Sequence, residues 1–341
     1  MKILVSGAAG FIGFHLTSRL LSEGHEVVGV DNLNSYYDPT LKLARLAQLG
    51  VKTALGNLNE SVESVTVPRF QFIEADITDR VFMPALFASE HFDIVVNLAA
   101  QAGVRYSIEN PFAYVESNIV GFLNILECCR HHQVKHLVYA SSSSVYGSND
   151  KIPFAESDNV DLPESLYAAT KRSDELMASC YAKLYGIPAT GLRFFTVYGP
   201  WGRPDMAPML FANAISSGKP IKLFNGGDME RDFTFVDDII EGLVRVIATP
   251  PDVEKSDRPH AIYNIGNSAP VKLNDFIAEF ENQLGCNAER ELLPMQAGDV
   301  KRTYADTSLL EERFGYRPST SLHDGVKVFI EWYKNYKTEI L

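Results

Sequence analysis

The stretch KILVSGAAGFIG, Lys2 to Gly13, decides the fold. A short apolar run is cut by glycine, and an amphipathic pattern, FHLTSRLLSEG (14–24), follows at once. This reads as strand, tight turn and helix. Glycines at 7, 10 and 13 permit a sharp turn, close backbone approach to a pyrophosphate and close helix packing. Gly7, Gly10, Phe11, Ile12 and Gly13 are therefore candidate contacts to a dinucleotide.

Outward from this turn, EVVGV (26–30), FQFIE (70–74), DIVVNLA (93–99), HLVYAS (136–141) and GLRFF (191–195) read as strands. They are apolar almost throughout, as parallel strands covered on both faces must be. Helical patterns such as SNIVGFLNILECCRHH (117–132) lie between them. The alternation predicts an α/β fold, a doubly wound parallel sheet of Rossmann type, with a smaller C-terminal α/β substrate domain. PTLKLARLAQLG (39–50) reads as a helix ended by Gly50, and residues 51–68 as a surface excursion. After Phe195 the alternation breaks down and Gly and Pro become dense. The expected division is a dinucleotide-binding domain over 1–195, with 237–265 returning to it, and a second domain over 196–236 and 266–341.

The strand at 26–30 ends at Asp31, whose carboxylate can accept the hydroxyls of an adenosine ribose and would repel a 2′-phosphate. NAD is thus expected over NADP. Asn32 follows it. EADITD puts Asp76 and Ile77 at the end of the next strand, near an adenine. NLAAQAG places Leu98, Ala99 and Ala100 where a dinucleotide would cross the sheet edge.

A length of 341 residues, with 46% hydrophobic and 22% charged residues, suits a globular protein of two domains or one large domain and a companion. The net charge of −12 argues against a nucleic-acid partner. It leaves room for an anionic small ligand, which needs only a few local arginines. The 4 cysteines show neither zinc nor disulfide-framework spacing, so no metal site is expected and free thiols in a reducing cytoplasm fit. The N-terminal apolar run is broken before a signal peptide could form, and no apolar run is long enough to span a membrane.

Tyr167 and Lys171, in SLYAATKRSDE (165–175), share one helical face. Tyr333 and Lys337 have the same spacing but sit far from any cofactor signal. Tyr167 and Lys171 closely follow ASSSSVYG (140–147), a strand whose end lies on the edge where open α/β sheets bind ligands. Ser142 is the residue expected beside Tyr167.

Together the glycine turn, Asp31, NLAA, Ser142 and Tyr167-x-x-x-Lys171 resemble the extended short-chain dehydrogenase/reductases over essentially the whole chain. LRFFTVYGPWGRPDMAP (192–208) and RDFTFVDDI (231–239) narrow the likeness to UDP-glucuronate 4-epimerases. The resemblance implies tightly bound NAD and a catalytic triad of Ser142, Tyr167 and Lys171, the last two also touching the cofactor. It makes Asn118 a support of the cofactor environment. Arg231 and Asp299 match positions for the UDP pyrophosphate and uridine ribose. Where glucose-specific relatives often carry Arg, this chain has Gln296, so Arg203 or Arg302 is expected to supply the phosphate contact. Arg105, Ser142, Ser143, Ser144 and Thr196 complete the candidate substrate contacts. The likeness also implies a homodimer through helices 117–132 and 165–185.

The chemistry suits these residue types. Inverting an unactivated carbon needs a planar stage, which oxidation of a 4-hydroxyl to a ketone provides. An ordinary phenol keeps its proton to about pH 10, so a tyrosine base needs neighbours that favour phenolate; an ammonium and a cationic nicotinamide do so. The 4-keto uronate is a β-keto acid, prone to decarboxylate, so its carboxylate must be restrained; the hydroxyls of Ser143, Ser144 and Thr196 are suited to that. Rival activities leave different marks. A 4,6-dehydratase usually carries Asp-Glu where Ser143 and Ser144 stand, and a UDP-glucuronate decarboxylase a Glu at Ser144. UDP-glucose 4-epimerase differs only in the group at carbon 6. Non-catalytic NAD sensors on this fold usually lack the Tyr–Lys pair.

Overall fold

The computed structural model describes residues 1–296 and 298–339. In chain order the elements are β1 (Lys2–Ser6), α1 (Phe11–Ser22), β2 (Glu26–Asp31), α2 (Thr40–Gln48), β3 (Ser61–Glu63), β4 (Phe70–Glu74), α3 (Phe82–Glu90) and β5 (Ile94–Asn97). There follow α4 (Tyr106–Glu109), α5 (Pro111–Tyr114), a π-helical segment (Val115–Gly121), α6 (Phe122–His131), β6 (His136–Ser142), a 3₁₀ turn (Ser143–Tyr146), α7 (Leu166–Tyr185) and β7 (Ala189–Phe194). Next come β8 (Thr196–Tyr198), α8 (Ala207–Ser216), β9 (Ile221–Phe224), β10 (Glu230–Arg231), β11 (Phe233–Phe235), α9 (Val236–Ile247) and β12 (His260–Ile265). The chain ends with β13 (Val271–Lys272), α10 (Leu273–Leu284), β14 (Arg290–Leu293), α11 (Ser308–Phe314) and α12 (Leu322–Glu339).

The chain divides into two compact units, Met1–Gly147 with Val160–Arg193 and Leu243–Tyr263, and Ser148–Asn159 with Phe194–Gly242 and Asn264–Leu341. Residues 148–159, which the sequence reading left in the first domain, group with the second unit. The return to the first unit begins at Leu243, inside α9, rather than at 237.

The first unit is built on an eight-stranded sheet of order β12-β7-β6-β5-β1-β2-β4-β3. β1 pairs in parallel with both β2 and β5, β2 with β4, and β5 with β6. Strand order therefore reverses on either side of β1, and the crevice beyond the carboxyl ends of β1 and β5 is the switch point where such sheets bind ligands. Ile3, Leu4 and Val5 are fully buried, as a central strand covered on both faces requires. One face carries Leu4, Val28, Val30, Val95 and Leu137, packed with Met83, Phe87, Phe122, Ile125 and Leu126 of α3 and α6.

Two local features depart from the sequence reading. The 51–68 excursion contains β3, which pairs antiparallel with β4 and forms the sheet edge. The helix expected over 117–132 opens as a π-helical segment, Val115–Gly121, before α6. Such a wide turn re-aims a side chain and often marks a functional position; here the segment carries Asn118. Gly121 lies in it because a Cβ there would stand 2.7 Å from Ile77 Cδ1.

The second unit has three short strand pairs, β8 with β11, β9 with β14 and β10 with β13. Its core is aromatic: Phe233 stacks on Phe276 at 3.9 Å between centroids, and Phe280 and Phe329 continue the cluster. The carboxylate of Asp232, fully buried, accepts the N–H groups of Asn267, Ser268 and Ala305 and so pins three segments together.

Two buried imidazoles hold the β6–β7–β12 side of the first unit. His136 Nδ1–H donates to Ile247 O at 3.2 Å, which leaves Nε2 to accept from the Thr190 hydroxyl at 2.9 Å. His260 Nε2 shares a 2.8 Å hydrogen bond with the Tyr139 hydroxyl. Burial lowers both imidazoles to about 4, from 6.5. A group that stays neutral when folded but takes a proton near 6.5 when unfolded favours folding above pH 6.5. That contribution fades as pH falls from 6.5 towards 4 and is of order 3 kcal/mol per imidazole. Denaturant unfolding measured across this window should show a steep loss of stability, and His136→Gln should flatten the slope; an unchanged slope would mean that the ring is protonated in the folded protein.

Candidate active site

The glycine turn is shaped by contacts within the first unit. Gly7 has φ +75°, and a Cβ on it would stand 2.9 Å from Ala99 N and Leu98 C. A Cβ on Gly13 would stand 2.0 Å from Gly7 O, so α1 can approach the turn only with glycine there. Gly10 precedes α1 without a side-chain cap, and the first turn of α1 holds no acidic residue. The amides of Phe11 and Ile12 thus head a helix whose positive end has no internal counter-charge, which suits a pyrophosphate. The crevice is fixed by Ser6, whose hydroxyl donates to Asn97 Oδ1 at 2.6 Å and accepts Ala99 N–H at 3.3 Å. Leu98, Ala99 and Ala100 follow directly on β5.

Asp31 closes β2 and is 7% exposed. Its Oδ1 accepts Leu33 N–H at 2.9 Å and the Lys42 ammonium at 3.1 Å, which leaves Oδ2 to a ribose. Asn32 donates to Asp76 Oδ2 at 2.8 Å, while Asp76 Oδ1 accepts from Thr78, so the ends of β2 and β4 are tied around the place for an adenosine. Ile77, beside Asp76, is buried under Gly121. These features fit NAD: an open helix N-terminus, a free carboxylate oxygen and glycines where side chains have no room.

Sequence reasoning missed two members of this site. Lys42 is buried against Asp31, and Arg45, fully buried, donates to Ala9 O of the glycine turn and to the Tyr37 hydroxyl, each at 2.8 Å. A signal was present: two cations three residues apart on the apolar face of α2 have to be paired.

The helix that carries Tyr167 and Lys171 starts cleanly. Ser165 caps α7 by accepting Ala168 N–H at 3.1 Å, and Gly186, at φ +66°, ends it. Tyr167 and Lys171 share one face. Lys171 is 2% exposed, and its ammonium donates to Ala140 O of β6 at 2.9 Å and to Asp174 Oδ2 at 3.2 Å. Tyr167 meets Tyr114 edge-on, at 6.0 Å and 74°. Tyr114 is itself fixed by hydrogen bonds to Ala102 O and Gly103 O. Ser142 ends β6, two residues beyond Ala140. Its hydroxyl accepts Ser144 N–H and donates to Ser144 Oγ, each at 3.1 Å, so it caps the 3₁₀ turn that holds Ser143 and Ser144. Ser142 and Tyr167 are not hydrogen-bonded to each other.

Asn118 clasps this assembly. Its Oδ1 accepts Gln101 N–H at 2.8 Å, and its Nδ2 donates to Gln101 O and to Thr170 Oγ1 at 3.1 and 2.9 Å. It therefore joins the loop after β5 to the helix that carries Tyr167. Arg105 is exposed at the start of α4 in the same loop.

Under α7 lies a second buried group. Glu175 accepts from Arg193 Nε and Nη2 at 2.8 and 2.9 Å, from Ser141 Oγ at 2.7 Å and from Arg172 at 3.0 Å. Burial raises its carboxyl, but these donors outweigh it and leave Glu175 below the usual carboxylate range.

The candidate substrate residues of the second unit lie in three places. Arg231 donates to Glu230 O and Lys301 O at 2.9 and 3.2 Å, and Arg302 pairs with Glu230 at 2.6 Å, so β10 carries the first arginine and holds the second beside it. Asp299 follows a turn in which its N–H reaches Gln296 O at 3.3 Å. Arg203 is elsewhere, on the loop after β8, paired with Asp205. Thr196 opens β8 opposite Phe233. Among the described residues no group of His, Cys, Asp and Glu could hold a metal, and no helix is long and apolar enough to cross a membrane.

Residues 3–266 match the model of the NAD dependent epimerase/dehydratase family. An uncharacterized 37.6 kDa protein of Escherichia coli O111:H- is 52% identical over 98% of this chain and 99% of its own. A probable UDP-glucuronate 4-epimerase of Rhizobium meliloti is 46% identical over 99% of this chain and 98% of its own. Among solved structures, UDP-glucuronic acid 4-epimerase of Bacillus cereus, in complex with UDP-glucuronic acid and NAD, superposes with a TM-score of 0.87 at 35% identity, covering 98% of this chain and 99% of that one.

Proposed function

The chain belongs to the NAD-dependent epimerase/dehydratase family, and from that premise we propose that it interconverts UDP-glucuronate and UDP-galacturonate by oxidation and re-reduction at carbon 4. The observation that carries the reading is the pairing of Tyr167 and Lys171 on α7, with Lys171 anchored to Ala140 O beside Ser142. The cofactor is NAD, which when bound supplies the acceptor and then the donor of the carbon-4 hydride. Asp31 holds its adenosine ribose and the N-terminus of α1 its pyrophosphate.

Tyr167 takes the proton of the 4-hydroxyl as the ketone forms and returns it when the sugar has presented its other face. Lys171⁺ favours the phenolate that this step requires. Ser142 is assigned to the reacting oxygen, its hydroxyl turning from Ser144 Oγ to donate there. Asn118 keeps the helix and the loop after β5 in register. In the second unit, Arg231 and Asp299 are assigned the nucleotide end, with Arg302, beside Arg231, as the added phosphate contact rather than Arg203. UDP-glucose 4-epimerase is the neighbouring activity; UDP-glucuronate is favoured by the relatives described above.

The 4-keto uronate must keep its carboxylate. Ser143, Ser144 and Thr196 are assigned to hold it, since hydroxyls donate to an anion without adding an acid. The enzyme is placed in the cytoplasm, in keeping with four unpaired cysteines. A homodimer is supported by the exposed apolar residues Ile108, Phe112, Leu123, Leu176 and Leu184 on the helices at 106–131 and on α7. Sedimentation of the purified protein should give twice the chain mass; a monomer at micromolar concentration would refute that assembly.

Tyr167→Phe should lower epimerisation about 10²–10⁴-fold, the usual cost of a lost general base, while NAD is still released on denaturation. Turnover above a tenth of the parent's would remove Tyr167 from this role. Incubation with UDP-glucuronate and with UDP-glucose, followed by product separation, reads the substrate directly. Thr196→Val should slow the uronate reaction and release a decarboxylated UDP-4-keto-pentose, detected by mass spectrometry. A variant that yields only the two uronates would free Thr196 from the restraint.

A further inference from the structure

One turn beyond Lys171 on α7, Asp174 is 2% exposed, and its Oδ1 is buried without a hydrogen-bond partner. A buried carboxyl with one oxygen unpaired calls for an explanation, and the reaction assigned above gives it no part. Its Oδ2 stands 3.2 Å from the Lys171 ammonium. That ammonium has three N–H groups. One goes to Ala140 O and one to Asp174, so the direction of the third is set.

The charges around Asp174 can be matched group by group. On its own helix stand Lys171, Arg172 and Glu175. Glu175 is already matched by Arg193 of β7 and by Arg172, through three hydrogen bonds. β6 contributes Tyr139, whose phenol burial holds well above its usual range, and β12 contributes His260, held neutral by burial. Lys171 is therefore the cation that remains for Asp174. An ammonium alone favours a nearby phenolate; an ammonium paired with a carboxylate does so less.

We propose that Asp174 is a positioning residue for the epimerisation: its carboxyl fixes the Lys171 ammonium against Ala140 O and, when ionised, offsets the positive field by which Lys171 favours the Tyr167 phenolate. Burial, opposed by Lys171, raises the Asp174 carboxyl to about 7, so both of its charge states occur near neutrality. The inference rests on the roles given to Tyr167 and Lys171.

The test is Asp174→Asn, which keeps shape and an acceptor oxygen but removes the charge. Two profiles are compared with the parent protein carrying its cofactor. One is kcat for UDP-glucuronate against pH. The other is the phenolate absorbance of Tyr167 against pH, isolated by subtracting the matching Tyr167→Phe protein. Both should move to lower pH by about one unit, with KM changed less than about twofold. Asp174→Glu, which restores the charge, should return both towards the parent. Asp174→Ala removes the charge with a different shape and should give the same shift as Asn. A charge-removing variant that is slower but keeps the parent profiles would overturn the proposal, and so would failure of both the Asn and Ala variants to fold. If the parent does not act on UDP-glucuronate, the functional reading fails, while the phenolate titration still decides the role of Asp174.

Discussion

Helix α7 is bound to strand β6 by buried charge, and the site depends on that attachment. Lys171 reaches Ala140 O, and Glu175, one turn on, takes the Ser141 hydroxyl and the Arg193 guanidinium. Apolar packing alone would hold the helix against the sheet but leave it free to slide or roll by fractions of an ångström. Hydrogen bonds to specific backbone and side-chain atoms do not tolerate such motion, because a buried partner left unmade costs about 1–3 kcal/mol. Buried ion pairs are poor sources of stability, so the use of two on one helix is better understood as fixing a position. The position fixed is that of Tyr167; in the role proposed for it, a proton transfer needs it held within hydrogen-bond reach.

A second clasp ties α7 to the loop after β5. Asn118 projects from a π-helical turn and joins the loop after β5 to Thr170, one turn from Tyr167. The same loop holds Tyr114 through Ala102 O and Gly103 O, and Tyr114 supports the ring of Tyr167. The segment that lines the cofactor crevice and the helix that carries Tyr167 are thus one hydrogen-bonded assembly. A change in either is felt by the other, which suits a reaction that passes a hydride at one carbon and a proton at that carbon's oxygen.

Much of this could be read from the sequence because its signals are local. An apolar run ending in glycine, a helix pattern directly after it, and a Tyr–Lys pair following a strand each need only a dozen residues of context. The strands expected at 2–6, 70–74 and 136–141 stand there within a residue. What stayed hidden depends on residues distant in the chain. β3 is short, half exposed and without apolar alternation, and exists only because β4 offers it an edge. The π-helical turn has no composition of its own; it follows from where Gln101 and Thr170 place the partners of Asn118. Lys42 and Arg45 lie on the apolar face of α2, which says that each must be paired but not with what; the partners, Asp31 and Ala9, are set by the fold. Asp232 looks like part of a family motif, and only its three backbone donors reveal a structural pin.

The end of β6 also bears on where the proposed chemistry would stop. Ser142, Ser143 and Ser144 offer hydroxyls, which donate and accept but do not hold a proton in reserve near neutrality. With carboxylic acids there, a 4-keto sugar would have a ready partner for water elimination, since such an intermediate makes its neighbouring C–H acidic. Ser144 is instead turned back on Ser142, its N–H and hydroxyl engaged within the 3₁₀ turn. In the mechanism proposed above, proton transfer falls to Tyr167, and one base matched to one hydroxyl can only open and close the same bond. On that reading, restriction to epimerisation follows from the hydroxyls that stand at the end of β6 as much as from the Tyr–Lys pair.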